Sequence, residues 1–309
     1  MNISYVIPCY RSEKTIEGVI SEIEDVMSTM PQHSFECILV NDCSPDNTID
    51  VLKSLVQSKA NVKVIDFARN FGQHAALMAG LNESSGDYVV CLDDDGQISV
   101  NEVEKLIQAL ENGSDAVIAE YDQKKEAYFR LLGSKINDIM ANLLIGKPKD
   151  MYFSSYWGAK RFIIDQITSY KGPYPYIQGL LLRSTRNVSN VLVSHREREI
   201  GASGYTFKKL LSLWLNGFTS FSVKPLRFAS YCGLFSGLFG FVLTFYIVLK
   251  ALIIGSVPGW TSLMATLLVL AGLILMVLGL IGEYVGRIYM CINSSPQYVI
   301  KQIFKNSKK

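Results

Sequence analysis

The sequence carries little charge: Asp, Glu, Lys and Arg together make up 19% of its 309 residues, against 49% hydrophobic. That excludes a disordered chain, which is polar and highly charged. With a mean hydropathy of +0.20 it also argues against a purely soluble enzyme. An excess of either sign is lacking too. Thirty basic residues face 28 acidic ones, for a net charge of +2, so nothing points to a nucleic acid as partner. The six cysteines (Cys9, Cys37, Cys43, Cys91, Cys232 and Cys291) form no CxxC pair, which fits reduced thiols in a cytosol and excludes a zinc ribbon or a disulfide scaffold. Neither a GxGxxG nor a P-loop follows any strand pattern. The start, Met1-Asn2-Ile3-Ser4, has no basic n-region or apolar h-region, so no cleaved signal peptide is expected.

Charge is missing altogether from two long stretches. Phe228–Leu249 has none, nor does Ala251–Gly282 after Lys250. A membrane span needs about 20 apolar residues, so two spans are expected, about Phe228–Ile254 and Ser262–Gly282, turning at Ser256-Val257-Pro258-Gly259. Lys224 and Arg227 precede the first; Arg287, Lys301, Lys305, Lys308 and Lys309 follow the second. The positive-inside rule then places both termini in the cytosol, in a multi-pass protein of the cytoplasmic membrane. Glycines at 233, 237, 240, 272, 279, 282 and 286 would let helices approach closely, which suits a homo-oligomer.

Before the spans, strand and helix patterns alternate. Strands are expected at Ile3–Ile7, Glu36–Val40, Val62–Phe67, Tyr88–Leu92 and Asp115–Ala119. Helices are expected at Ser12–Met27, with Ser12 as N-cap, and at Thr48–Ser58, Gln73–Glu83 and Val100–Glu111. This order predicts an α/β fold, a mainly parallel sheet with helices on both faces, whose ligands bind beyond the carboxyl ends of the strands. Those ends carry Pro8-Cys9-Tyr10, Asn41-Asp42-Cys43-Ser44, Arg69-Asn70-Phe71-Gly72 and Asp93-Asp94-Asp95. Three adjacent carboxylates repel unless a cation joins them. Carboxylates that hold a hard divalent ion while leaving positions open for phosphate oxygens are how enzymes of nucleotide diphosphates use Mg²⁺ or Mn²⁺.

These segments resemble the family 2 glycosyltransferases of the GT-A fold, in particular the membrane-anchored polyprenyl-phosphate glycosyltransferases such as dolichyl-phosphate mannose synthase, bactoprenol glucosyltransferase and undecaprenyl-phosphate formamido-arabinose transferase. The resemblance continues through Asp95-Gly96-Gln97, the run from His195 to Tyr205, Pro225-Leu226-Arg227 and Gly282–Tyr289, and so covers nearly the whole chain. It implies a GT-A catalytic domain at 1–205, an interfacial amphipathic helix at 206–227, a two-helix transmembrane hairpin at 228–290 and a basic cytosolic tail at 291–309; the apolar residues of Thr206–Ser222 fit a core-facing helix of the catalytic domain equally well. By the same resemblance Pro8, Tyr10 and Glu13 line the nucleotide pocket, Asp42 reads the uracil of a UDP-sugar, and Arg69 lies beside the nucleotide. Asp93 and Asp95 match the DxD motif, Asp95 as a direct metal ligand and Asp93 as a contact to ribose or metal, with Asp94 between them and Gln97 after them. Arg198 and Arg196 would hold the acceptor phosphate and the diphosphate, a role that suits the guanidinium fork.

The implied reaction is metal-dependent, inverting transfer of a sugar from a nucleotide diphosphate to polyprenyl phosphate at the cytosolic membrane face, for surface-glycan assembly or O-antigen modification. Three departures from the family pattern stand out. Asn41 replaces the first of two acids, and Gly204 stands where Lys is common. Ser154-Ser155-Tyr156-Trp157 occupies the place of the aspartate assigned as base in bactoprenol glucosyltransferases, and the nearest acid is Asp150. A phosphate monoester with a second pKa of about 6 is already ionised at neutral pH and needs little deprotonation, so Asp150 and Ser155 would instead bind sugar hydroxyls. Two other readings stay open: a non-catalytic nucleotide-sugar-binding partner of a glycan transporter, and a polysaccharide synthase. The synthase normally has a Gln-x-x-Arg-Trp motif, where His195-Arg196-Glu197-Arg198 lacks the tryptophan.

Overall fold

The computed structural model describes residues 1–96, 100–121, 151–194, 259–293 and 295–306, with separate positions between 226 and 253. The chain forms two compact units, Met1–Tyr205 with Ser295–Lys309, and Thr206–Ser294.

In the first unit β1 (Asn2–Cys9), β2 (Ser34–Asn41), β3 (Val62–Phe67) and β4 (Tyr88–Cys91) alternate with α1 (Ile16–Ser28), α2 (Thr48–Ser58) and α3 (Gln73–Glu83). A short 3₁₀ turn (Val100–Glu102) leads into α4 (Val103–Glu111), followed by β5 (Ala116–Tyr121), β6 (Trp157–Lys160), α5 (Arg161–Thr168), α6 (Ile177–Ser184), β7 (Val188–Val193) and, after the second unit, β8 (Ile300–Lys305). The expected α2, β3 and α3 coincide with the observed elements residue for residue. Ser12 is not the side-chain cap of α1: its carbonyl accepts the N–H groups of Thr15 and Ile16, and its hydroxyl turns to Asp94.

The strand order is β7-β5-β6-β4-β1-β2-β3-β8. β4, β1, β2 and β3 are parallel neighbours, as the βα alternation requires, while β6 runs antiparallel to β4 and β5, and β8 antiparallel to β3. β5 and β7 pair in parallel, so the sheet is mixed but mainly parallel, with β6 and β8 running against the other described strands. The parallel strands are apolar on both faces and almost wholly buried, as strands covered by helices on two sides must be. On one side Ile16, Val19, Ile20, Ile23, Val26 and Met27 of α1 supply a continuous apolar stripe. On α3, residues Ala75–Leu81 are all buried, and Gly80 permits close approach: a Cβ there would lie 2.3 Å from Cγ1 of Val6. That contact seats α3 on β1 and fixes where its N-terminus points.

The stretch expected as a basic tail departs from expectation. Residues 300–305 form β8 and close the β3 edge, with Lys63 opposite Lys305 and Ile65 opposite Ile303. Its lysines serve as edge charges: Lys301 lies 3.7 Å from Asp66 and Lys305 3.9 Å from Glu83.

In the second unit α7 spans Trp260–Ile292, and its segment Leu270–Ile292 is long and apolar enough to cross a membrane. It is the one such helix among the described residues. Leu263, Ile274, Leu275 and Ile292 are exposed on it. It continues ten residues past the expected end of the second span, carrying Gly282–Tyr289 with it. The expected first span, about 228–254, is described only at separate helical positions, and the expected interfacial helix at 206–227 lies almost entirely outside the described residues.

Candidate active site

The carboxyl ends of β4, β1, β2 and β3 stand side by side, so the turns that follow them share one rim of the sheet. Two of these turns use left-handed backbone at non-glycine residues, Arg11 (φ 61°) and Cys43 (φ 51°). Such geometry costs about 1–2 kcal/mol per residue and persists only where neighbours enforce it. Here Arg11 N–H donates to Ser44 Oγ at 2.7 Å and Asp42 N–H donates to Cys9 O at 3.1 Å, tying the two turns together.

Asp42 is buried at the end of β2. Its Oδ1 accepts Phe71 N–H at 2.7 Å, its Oδ2 accepts Gly72 N–H at 2.8 Å, and its carbonyl accepts Asn70 Nδ2 at 3.1 Å. Burial raises its pKa, against these backbone bonds. The residue expected to read a base thus also pins the β3–α3 loop. Asn41 is equally committed: its Nδ2 donates to Asp66 at 2.7 Å and its Oδ1 accepts Ser44 N–H at 3.2 Å.

The aspartate run follows β4. Asp93 Oδ1 accepts Gln73 Nε2 at 2.8 Å, and its Oδ2 accepts the Ser155 hydroxyl. The sequence separation of 62 is bridged by register: β6 is antiparallel to β4 with Cys91 opposite Trp157, so residue 155 falls opposite residue 93. Burial first, then the charges of Asp95 and Asp94, push the Asp93 pKa up to about 6, against the two hydrogen bonds. Asp94 turns the other way, accepting Tyr10 N–H at 3.0 Å and the Ser12 hydroxyl; burial raises its pKa as well. It therefore braces the β1 turn. Gly96 adopts φ 69°, a turn that glycine allows at no steric cost.

Among the other expected residues, Pro8 lies in β1 opposite Val40, and Tyr10 is 44% exposed with the Arg11 guanidinium 5.6 Å from its ring centre. Glu13 accepts Asn47 N–H at 3.1 Å, at the start of α2. Arg69 is exposed, its guanidinium 4.6 Å from the centre of the Phe71 ring. Gln97, Asp150, Arg196 and Arg198 lie outside the described residues. Four participants had been assigned no site role from sequence: Gln73, Ser12, Ser44 and Asp46. Ser44 donates to Asp46, which also accepts the Thr48 hydroxyl at 2.7 Å; burial works against the Asp46 charge, but these bonds outweigh it and lower its pKa. Gln73 was recoverable, because it opens a helix directly after a strand-end loop.

A divalent ion is testable against this donor set. Among the described residues no cluster of three or more His, Cys, Asp or Glu could hold a metal alone. Mg²⁺ and Mn²⁺ in such sites use one or two carboxylates and complete their shell with substrate phosphates and water. Asp93 and Asp95 meet that smaller requirement; burial lifts the Asp93 pKa first, and the neighbouring charges of Asp95 and Asp94 that add to it are what a cation would relieve. The residues fit an ion that arrives with a diphosphate.

Residues 4–168 match the family described as Glycosyl transferase family 2, and residues 224–288 match the GtrB C-terminal hairpin. The undecaprenyl-phosphate 4-deoxy-4-formamido-L-arabinose transferase of Serratia proteamaculans is 31% identical to this chain, over 97% of it and 93% of the relative. The protein of that name from Proteus mirabilis is 32% identical over the same shares. Among solved structures, glucosyl-3-phosphoglycerate synthase from Mycobacterium tuberculosis is similar with a TM-score of 0.49 and 20% identity, covering 71% of this chain and 76% of that one.

Proposed function

We propose, from the premise that this chain belongs to glycosyl transferase family 2 and is a glycosyltransferase, that it moves a sugar from a UDP-sugar to undecaprenyl phosphate at the cytosolic face of the membrane. The acceptor is taken from the relatives that act on undecaprenyl phosphate by name. The observation that supports the donor side most is the rim itself. A carboxylate held by Gln73 and Ser155 stands next to Asp95, and the Arg69 loop is fastened to Asp42.

In this reading a phosphate oxygen of the lipid forms a bond to the anomeric carbon on the face opposite the leaving group. The bond from that carbon to the diphosphate breaks, its electron pair leaves with UDP, and the configuration inverts. The acceptor is already ionised near neutral pH, so no side chain has to remove a proton. Ser155 does not serve as a base, since its hydroxyl is donated to Asp93. Its work is to orient that carboxylate. Asp95, with Asp93, would hold a divalent ion, which when bound supplies charge neutralisation for the departing diphosphate. Arg69 stabilises the nucleotide side, and Arg196 and Arg198 draw in the lipid phosphate. Catalysis then rests on positioning and charge. The two-span hairpin, with both termini cytosolic and an interfacial helix at 206–227, would anchor the chain in the membrane that holds the lipid.

The test is transfer by the purified full chain in detergent, with Mg²⁺ or Mn²⁺, undecaprenyl phosphate and a panel of UDP-sugars that includes the formamido-arabinose donor. One glycolipid product, abolished by EDTA and by Asp95→Asn, is expected. Metal-dependent UDP binding without any product would replace this reading with a binding role.

A further inference from the structure

The segment that leads into β8 brings an aromatic side chain against the end of β3. Tyr298 stacks on Phe67, with ring centres 5.3 Å apart and planes 8° from parallel. Phe67 ends β3 and is 1% exposed; it meets Phe71 edge-on at 5.7 Å and 84°. Phe71 in turn carries the Arg69 guanidinium on its ring and gives its N–H to Asp42. Between Phe67 and Phe71 the loop residues Ala68, Arg69 and Asn70 are all exposed. The loop is therefore held from the inside by Asp42 and from the outside by this run of rings.

Tyr298 is itself fixed on both sides. Gln297 Nε2 donates to the carbonyls of Tyr170 and Gly172, each at 2.8 Å, and Val299 O accepts Ala68 N–H at 3.0 Å. The β3–β8 ladder shifts register between Asp66 and Phe67, where the stacked rings take over from regular pairing. A second connection runs beside it: Lys301 pairs with Asp66, which accepts from Asn41.

We infer that Tyr298 is a positioning residue of the donor site, acting through Phe67 and Phe71 to set the loop that carries Arg69. The inference rests on the proposed function insofar as that loop faces the nucleotide. Its action is through ring stacking, so a phenylalanine suffices; the Asn82 Nδ2 bond to the Tyr298 hydroxyl, at 3.3 Å, is dispensable.

The test compares wild type, Tyr298→Ala, Tyr298→Leu and Tyr298→Phe as full chains in detergent, by amide hydrogen exchange and by transfer kinetics. In the alanine and leucine variants, exchange at residues 69–72 should speed up about tenfold, on the scale of one lost aromatic pair. Exchange across Val62–Asp66 should stay as in wild type. The KM for the nucleotide sugar should rise about tenfold, while kcat and the KM for the lipid stay put, and Tyr298→Phe should restore both readouts. Unchanged exchange at 69–72, an unchanged donor KM, or failure of phenylalanine to restore would each overturn the inference. Faster exchange throughout Val62–Asp66 would also overturn it, because the tyrosine would then be holding β8 and not the loop. The leucine variant keeps apolar cover should alanine fail to fold. A wild type that transfers no sugar sinks the functional reading, and loop exchange alone then decides what Tyr298 does.

Discussion

Asp42 and Asp93 stand two strands apart on the same rim, and both are carboxylates lifted by burial, yet they are held in opposite ways. Asp42 is held by backbone N–H groups of Phe71 and Gly72, which cannot move without moving the loop. Asp93 is held by the side chains of Gln73 and Ser155, with two further carboxylates beside it. Backbone donors make a fixed joint. Side-chain donors make a bracket that can rotate away when a cation or a diphosphate competes for the oxygen. In the proposed reaction one aspartate builds the site and the other faces the chemistry.

The largest effect should come from the side that faces the chemistry. Asp93→Asn should lower transfer about a thousandfold, the scale of losing a charge partner for the diphosphate, with little change in thermal unfolding; a comparable fall in unfolding temperature would erase the contrast. Asp42→Ala should act first on stability, and through the released Arg69 loop also on the donor KM. It strands two backbone donors near the core, at roughly 3 kcal/mol, and should lower the unfolding temperature of the catalytic unit by roughly 5–10 °C.

His74, in the first turn of α3, tests the fixed side by pH. Burial lowers its pKa from 6.5 to about 4, its Nδ1 has no hydrogen-bond partner among the described residues, and its ring sits edge-on to Tyr176 at 5.2 Å. A base whose folded pKa is depressed favours folding fully above its unfolded value, and that support is lost as pH falls from 6.5 towards 4. The loss should be roughly 2 kcal/mol, and His74→Gln should flatten that part of a stability–pH curve. The smallest effect belongs to the bracket. Ser155→Ala should raise the donor KM about five- to tenfold, leaving lipid KM and stability unchanged, since one hydrogen bond to a charged group is at stake.

What was legible in the sequence follows from range. The elements α2, β3 and α3 declared themselves through local periodicity and strand-end polar residues, and the aspartate run stood out as a charge anomaly. β8 did not. Ile300-Lys301-Gln302-Ile303-Phe304-Lys305 follows an apolar helix and is rich in lysine, so it reads as a tail; its partner Val62–Phe67 lies more than two hundred residues away. The Ser155–Asp93 bond was hidden for a similar reason, since it depends on an antiparallel register that no local pattern announces. Asp42 was legible as a site residue but not as the anchor of the next loop, because hydrogen bonds to backbone leave no trace in side-chain identity.

The placement of β8 also bears on the order in which the protein is made. The sheet and its β3 edge emerge first, then Thr206–Ser294, and only afterwards the strand that covers that edge. At roughly 5–20 residues per second the edge waits on the order of ten seconds during synthesis. An unpaired edge invites pairing with another chain. Completion of the catalytic sheet therefore comes after the apolar helix has left the ribosome, and a chain stalled in that interval exposes a sticky edge before it has a finished site.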